Sequence, residues 1–140
     1  MATRTVTDLN KDDEELCKEA QEFTTLFYDV MDRKRERIGY LYSNITPSNL
    51  VWNGNPIDGY DNIIQFLTKV APSTQHEVKS IDAQRMPDGL SGPVAVGILL
   101  VVAGSVTIND GRSHAFTETF VLCTEDGKFK VKSDRFRYVD

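Results

Sequence analysis

The stretch VAVGILLVVAGSVTI, residues 94–108, gives the strongest β-strand signal in the chain. Its β-branched residues predict one long strand, and the Asn-Asp-Gly turn at residues 109–111 predicts a return into a second. A strand with one wet face alternates apolar and polar side chains. Residues 94–103 are instead apolar at both alternating sets of positions, with the larger side chains at the even ones. Both faces of this strand are therefore expected to be dry.

The second strand, predicted at about residues 114–124, repeats this asymmetry. Its even positions carry the large side chains Phe116, Phe120 and Leu122. Its odd positions carry small or uncharged ones, which are Ala115, Thr117, Thr119, Val121 and Cys123. A turn at residues 125–127 leads into a last strand, residues 128–139, so the C-terminal part is predicted to be a three-stranded meander.

The last strand fits this pattern only with a register shift. Its early apolar residues are at odd positions, and its later ones, Phe136 and Tyr138, are at even positions. A β-bulge near Ser133-Asp134 would put all of them on the core side. Arg135 and Arg137 then lie on the outer face of the sheet.

Three helical segments are predicted before the meander. Leu16, Ala20, Phe23 and Phe27 recur at steps of three and four, and the acidic residues 12–15 suit the first turn of such a helix. The other predicted elements are a short helix near residues 38–42, a hairpin at residues 50–57, a helix at residues 60–71 and a strand at residues 75–84. Together they predict one α+β domain over residues 9–140, after a disordered tail at residues 1–8.

The helices cover one face of the sheet, and a chain of 140 residues has nothing left to cover the other. Exposed faces of low polarity usually mark protein interaction sites, and a sheet face suits a partner domain packed at about 10 Å. The sequence therefore predicts a partner-binding surface on the odd-numbered residues. The alternative is a different strand register, which would leave an ordinary amphipathic sheet.

Composition narrows the classes of partner. A net charge of -5 and a pI near 5.0 disfavour direct binding to nucleic acid or to an anionic membrane. The two cysteines are far apart, no metal-ligand spacing occurs, and no signal peptide or membrane span is expected. The basic run at residues 33–37 is interpreted as a solvated helix end, with a nucleic-acid patch or a nuclear address as alternatives.

The order of these elements and several short motifs resemble the nuclear transport factor two-like family. The motifs are Leu50-Val51-Trp52-Asn53-Gly54-Asn55, Phe116-Thr117-Glu118-Thr119-Phe120 and Ser133-Asp134-Arg135-Phe136-Arg137. The resemblance covers about residues 16–139 and implies a cone-like α+β domain, with three helices on a strongly bent, mainly antiparallel sheet. It is nearest to the branch of small cofactors that pair with a TAP-type messenger RNA export receptor.

The resemblance implies a non-catalytic adaptor that shuttles between nucleus and cytoplasm without a cofactor or a metal. Its partner would be the receptor's matching domain, with only indirect contact to nucleoporins and none to nucleic acid or membrane. The expected interface residues, from the family and from the outer face, are Leu99, Val101, Thr117, Thr119, Arg135 and Arg137. Arg137 matches the arginine that pairs with a receptor carboxylate, a contact that suits the planar guanidinium group.

Two other functions stay open at this point. Family members that carry the GTPase Ran use acidic residues at the positions of Asn53, Asn109 and Gly111, and none is acidic here; a homodimeric carrier of Ran or another cargo remains the alternative. Related folds also host dehydratases and isomerases, for which Glu118 would be the candidate, with Tyr28 or His76 nearby. A structural hydrogen bond is the preferred interpretation of Glu118, because buried polar side chains usually have partners.

Overall fold

The computed structural model describes the chain over residues 6–86 and 97–140, with side chains from residue 13 onwards. The helices are α1 (Val6–Arg33), the 3₁₀ helix α2 (Arg35–Leu41) and α3 (Tyr60–Gln65), which continues as a π-helical turn (Phe66–Val70). The strands are β1 (Asn49–Trp52), β2 (Asn55–Asp58), β3 (Thr74–Arg85), β4 (Ile98–Ile108), β5 (Ser113–Glu125) and β6 (Lys128–Tyr138). The predicted loop at residues 86–93, apart from Met86, lies outside the described residues, and so do residues 94–96 of the predicted strand. Gly97 is described but precedes β4.

The six strands form one open sheet in the order β2-β1-β6-β5-β4-β3. All neighbouring strands are antiparallel except β1 and β6, which run parallel. The predicted fold class, a cone-like α+β domain with a bent and mainly antiparallel sheet, is confirmed. The parallel pairing of the β1–β2 hairpin with β6 was not predicted.

Two bulges interrupt the antiparallel ladders. In β6, Ser133 pairs with Val121 and Val131 pairs with Leu122, so Lys132 is the extra residue and the predicted bulge is confirmed one position away. In β3, the same shift leaves Lys79 unpaired beside Gly104 of β4. A Cβ atom at Gly104 would lie 2.0 Å from the carbonyl oxygen of Glu77, so only glycine fits at this close approach of two strands.

Helix α1 packs its apolar stripe on the inner face of the sheet. The predicted residues Leu16, Ala20, Phe23 and Phe27 are all buried. The ring of Phe27 lies 4.8 Å from that of Phe120 in an edge-to-face contact, which places the centre of the core between helix and sheet. None of the helices in the described part of the chain is long and apolar enough to cross a membrane.

The start of α1 differs from the prediction. The helix begins at Val6, inside the segment predicted as a tail, so acidic residues 12–15 stand beyond its first turn. Asp8 and Asn10, residue types that are common at helix caps, both lie within the helix, where either type costs only a few tenths of a kcal/mol.

The basic run at residues 33–37 is not uniformly solvated. Arg35 is half-buried, and its guanidinium group donates hydrogen bonds to the carbonyl oxygens of Met31 at 3.0 Å and Ala71 at 3.2 Å and to Thr74 Oγ1 at 2.9 Å. These bonds tie the end of α1 to the end of α3 and the start of β3. For Arg35 the interpretation as a solvated cation is therefore wrong.

Candidate partner-binding surface

The outer face of the sheet is ordered in cross-strand rows. Val101, Thr119 and Arg135 lie directly opposite one another on β4, β5 and β6. The next row is Ala103, Thr117 and Arg137, and the row on the other side is Leu99, Val121 and Ser133. Directly opposite residues share a face and their Cβ atoms lie about 5 Å apart. The structure therefore brings all the predicted interface residues into one continuous patch, which we call the outer patch.

The alternation predicted from the sequence holds in these strands. On the inner face Ile98, Leu100, Val102, Phe116 and Phe120 are each no more than 1% exposed. On the outer face Leu99, Val101, Thr117 and Thr119 are only half-buried. Odd residues thus point outward, as expected, and the ordinary amphipathic alternative is wrong because the first three outward residues of β4, Leu99, Val101 and Ala103, are apolar.

Two positive charges stand on the outer patch. Arg135 and Arg137 are both exposed, and neither side chain makes a hydrogen bond or an ion pair with any residue in the described ranges. They belong to β6, one of the two central strands of the sheet. Their guanidinium groups are thus free to meet an acceptor on another molecule.

A negative charge that the sequence analysis missed lies at the edge of the same patch. Asp82 of β3 is exposed and stands opposite Val101, so it extends the row that ends at Arg135. Its neighbours Ile81 and Ala83 face inward, opposite Val102 and Leu100. The alternation of residues 81–83 could have placed Asp82 on the outer face. The bulge at Lys79 reverses the inward and outward positions along β3, so the strand as a whole shows no single alternation.

One outward residue was placed wrongly by parity alone. Cys123 is buried, and its thiol lies 3.5 Å from Glu125 Oε2, which also accepts a hydrogen bond from Ser43 Oγ. The chain after α2 runs beside β6 here, with Ser43 bonded to the carbonyl of Val131, and this covers the end of the sheet. Burial raises the pKa of the Cys123 thiol to about 11, so the thiol is not a reactive group at neutral pH.

Beneath the outer patch the core holds a polar cluster. Tyr28 Oη donates a hydrogen bond of 2.8 Å to Glu118 Oε1, and Tyr42 Oη donates one of 2.5 Å to Asp134 Oδ2. Both carboxyl groups are buried, and burial raises the pKa of Glu118 well above its ordinary value and raises the pKa of Asp134. The charge of Asp134 raises the pKa of Glu118 further. Glu118 therefore has the hydrogen-bond partner that its preferred interpretation as a structural residue predicts.

A second part of this cluster reaches toward the surface. Asp32 Oδ2 accepts a hydrogen bond of 2.8 Å from the His76 backbone. Asp32 Oδ1 accepts one of 2.7 Å from Thr74 Oγ1 and lies 2.6 Å from His76 Nδ1. Partial burial alone would raise the pKa of Asp32, but the hydrogen bonds from His76 and Thr74 outweigh it and lower that pKa. The His76 ring packs against Tyr28 at 4.5 Å, so the cluster is continuous.

The space around this cluster is closed. The hollow bounded by Phe27, Tyr42, His76, Glu118 and Asp134 leaves no volume that a water molecule can enter. The residues that could act as acids or bases are therefore present without room for a substrate. No group of three metal-ligating side chains occurs in the described part of the chain.

At two of the three positions that would be acidic in a Ran carrier, an asparagine side chain bonds to the backbone instead. Asn53 and Asn109 both have positive φ values, 46° and 52°, which asparagine tolerates better than most residues. Asn53 Oδ1 accepts a hydrogen bond from the backbone of Tyr138, and Asn109 Oδ1 accepts one from the backbone of Ser73. Both side chains stabilise turns of the domain.

Helices on one side of a bent, open sheet, with the other side uncovered, define the class of this protein as a cone-like domain of the nuclear transport factor 2 type. The family model described as "Nuclear transport factor 2 (NTF2) domain" matches residues 19–138, and the chain belongs to that family. The predicted family resemblance, and the predicted nearness to its export-related branch, are confirmed.

The chain is 57% identical to the NTF2-related export protein of Caenorhabditis elegans over 140 residues, which is 100% of both chains. Among solved structures, nuclear transport factor 2 from Cryptosporidium parvum superimposes with a TM-score of 0.76 at 25% identity, covering 89% of this chain and 95% of that one. A chain of the Mtr2–Mex67 M domain complex from C. albicans shares the fold, with a TM-score of 0.66 at 14% identity over 90% of this chain and 98% of that one.

Proposed function

We propose that the protein is a non-catalytic adaptor that forms a heterodimer, through its outer patch, with the matching domain of a TAP-type messenger RNA export receptor. In this role it supports export through the nuclear pore and moves between nucleus and cytoplasm. The receptor, and not this chain, contacts RNA and most nucleoporin repeats.

The observation that carries the proposal is the pair of exposed, unpartnered arginines on an otherwise uncharged and half-buried sheet centre. The full-length similarity to a protein named as an export protein supports the nuclear export role. The shared fold with a chain of the Mtr2–Mex67 complex shows that this domain type occurs in a complex of that name, and it makes a receptor domain a reasonable partner.

The position of the arginines favours an unlike partner. Both are on β6, a central strand, and a two-fold axis through two stacked copies of this sheet would bring their guanidinium groups close to one another. Like charges at a desolvated interface are strongly unfavourable. A partner with a carboxylate opposite Arg137 would instead form a charge-assisted, bidentate hydrogen bond. Self-pairing, as in a homodimeric carrier, is therefore the weaker proposal.

The enzyme alternative is opposed by the closed core. Glu118, Asp134, Tyr28 and Tyr42 bond to one another in pairs, and no volume beside them admits a water molecule. A dehydratase or isomerase needs room for its substrate next to the catalytic acid or base.

The solution mass of the protein, alone and mixed with the receptor's matching domain, tests the proposal. Sedimentation equilibrium should show one copy of the 15.8 kDa chain bound to one receptor domain. A homodimer that persists in excess receptor domain would favour the carrier alternative. A monomer that ignores the receptor domain would defeat the proposed heterodimer.

A further inference from the structure

A second surface lies between the helices and the β5–β6 turn. It is an open groove of about 700 Å³, formed by α1, α2 and the first residues of β6, and we call it the α1–β6 groove. Its lining includes none of the residues of the outer patch. Two molecules could therefore bind these two surfaces at the same time.

The floor of the groove is apolar. Phe23, Val30 and Leu41 are the buried residues of its lining, and the half-buried Phe129 also lines it. Two large apolar side chains rise from it: Leu26 is 49% exposed and Tyr40 is 74% exposed. Apolar side chains exposed together in a concave surface are typical of a site that another molecule covers.

The charged lining of the groove is mainly basic, although the whole chain is acidic. Lys34, Arg37, Lys128 and Lys130 all line it, against a net charge of -5 for the chain. Lys34 lies 3.5 Å from Asp29, and Lys130 donates a hydrogen bond to the carbonyl oxygen of Tyr40. The side chains of Arg37 and Lys128 have no hydrogen-bond or ion-pair partner within residues 13–86 and 97–140.

Two acidic side chains also line the groove. They are those of Glu19 and Glu22 of α1, and neither side chain is paired with a described residue. The groove thus combines an apolar floor with four cations against two carboxylates, and its electrostatic field favours an occupant that carries negative charge.

We propose that the α1–β6 groove binds an acidic peptide segment that carries apolar anchor residues. The anchors pack on Phe23, Leu26 and Phe129, and acidic side chains of the peptide meet Arg37 and Lys128. A groove of this size holds a short segment, in line with recognition of a peptide through a few anchors. A nucleic acid fits less well, because two glutamates line the groove with the cations and the net charge of -5 disfavours phosphate.

The proposal adds to the adaptor role a second docking site on the far side of the interface. A partner held here would be recruited to the heterodimer without competing with the receptor domain. It does not depend on the receptor's identity, since the groove is formed wholly by this chain.

Selection from a phage-displayed library of random twelve-residue peptides, with the whole chain immobilised, tests the proposal. The enriched peptides are expected to combine acidic residues with large apolar ones. A fluorescein-labelled copy of the most enriched peptide is then titrated with protein and followed by fluorescence anisotropy.

The double variant Arg37→Glu/Lys128→Glu should bind that peptide about tenfold more weakly or worse, because each reversal removes an attraction and adds a repulsion. Leu26→Asp should also weaken it, by placing a charge on the floor. Arg112→Glu, an exposed cation outside both surfaces, is the control for net charge and should stay within about twofold of wild type. All three variants should bind the receptor domain as wild type does.

Three results would overturn the proposal. They are the enrichment of no peptide, the enrichment of peptides without acidic residues, and equal affinity of the best peptide for wild type and the double variant. Tighter binding of an oligouridine probe than of the peptide, lost in the double variant, would overturn it as well and identify the groove as a nucleic-acid site.

Discussion

Strands β4, β5 and β6 carry two faces whose residues alternate along the same chain but meet different demands. On the inner face of β5, Phe116, Glu118 and Phe120 are each at most 3% exposed and make contacts to α1. On the outer face, Thr117 and Thr119 are half-buried beside Arg135 and Arg137, whose side chains have no partner among the described residues. The inner face is complete within this chain, whereas the outer face is not. Substitutions on the inner face should therefore change folding, and those on the outer face should change binding.

The largest effect on folding is expected from Phe120→Ala, compared with Thr119→Ala at the adjacent position. Phe120 is fully buried and contacts Phe23 and Phe27, so its loss should cost about 3–5 kcal/mol of unfolding free energy. Thr119 faces outward, and its truncation should change stability by less than about 0.5 kcal/mol. Urea unfolding followed by circular dichroism measures both. Similar losses for the two variants would contradict the assignment of faces.

A smaller loss is expected from Gly104→Ala. The new Cβ atom would lie 2.0 Å from the Glu77 carbonyl oxygen, and backbone must move to admit it, at a cost of about 1–3 kcal/mol. Gly111→Ala is the matched control, since its Cβ would meet the nearest backbone oxygen at 3.3 Å. The same unfolding measurement distinguishes them. Equal stability of Gly104→Ala and wild type would show that the two strands do not approach as closely as the bulge at Lys79 requires.

The smallest expected effect is that of Glu118→Gln, which should change how the unfolding free energy depends on pH. Burial and Asp134 raise the folded-state pKa of Glu118 above its ordinary value of 4.5. The protonated carboxyl therefore contributes stability at low pH, and this contribution is lost as the pH rises through the folded-state pKa. Gln keeps an oxygen for Tyr28 but cannot ionise, so the variant should lose less stability than wild type as the pH rises.

Unfolding free energies at about pH 5 and about pH 8 give that comparison. The unfolding free energy of the variant minus that of wild type should be larger at the higher pH. The other titrating groups are common to both proteins, so their contributions cancel in this difference. A difference that stays constant with pH, or moves the other way, would mean that Glu118 is ionised in the folded protein throughout this range.

Much of the fold follows from local patterns in the sequence. The step of three and four identified Leu16, Ala20, Phe23 and Phe27 as one buried stripe, and the change of parity between Val131 and Phe136 revealed the bulge in β6. The bulge in β3 left no such trace, because β3 is an edge strand with mostly exposed residues, so parity there is weakly marked.

Other features depend on contacts between distant parts of the chain. Arg35 is enclosed by carbonyl groups near residue 71, and Cys123 by the segment at Ser43, and neither neighbour is suggested by local sequence. Asp134 looked like part of a bulge, but its even parity matched that of Phe136 and could have placed it in the core beside Tyr42. The outer patch was predictable because its signal lies within single strands; its match to a particular partner was not.

The affinity of the receptor's matching domain for Arg137→Glu, measured by isothermal titration calorimetry beside wild type and Arg112→Glu, tests the central claim most directly. Reversing a charge at a desolvated pair should weaken the complex by about 2–5 kcal/mol, while the exposed control should change it by less than about 1 kcal/mol. Both variants should keep the circular dichroism spectrum and the unfolding free energy of wild type, since both residues are exposed. Unchanged affinity of a folded Arg137→Glu variant would contradict the assignment of the outer patch as the partner interface.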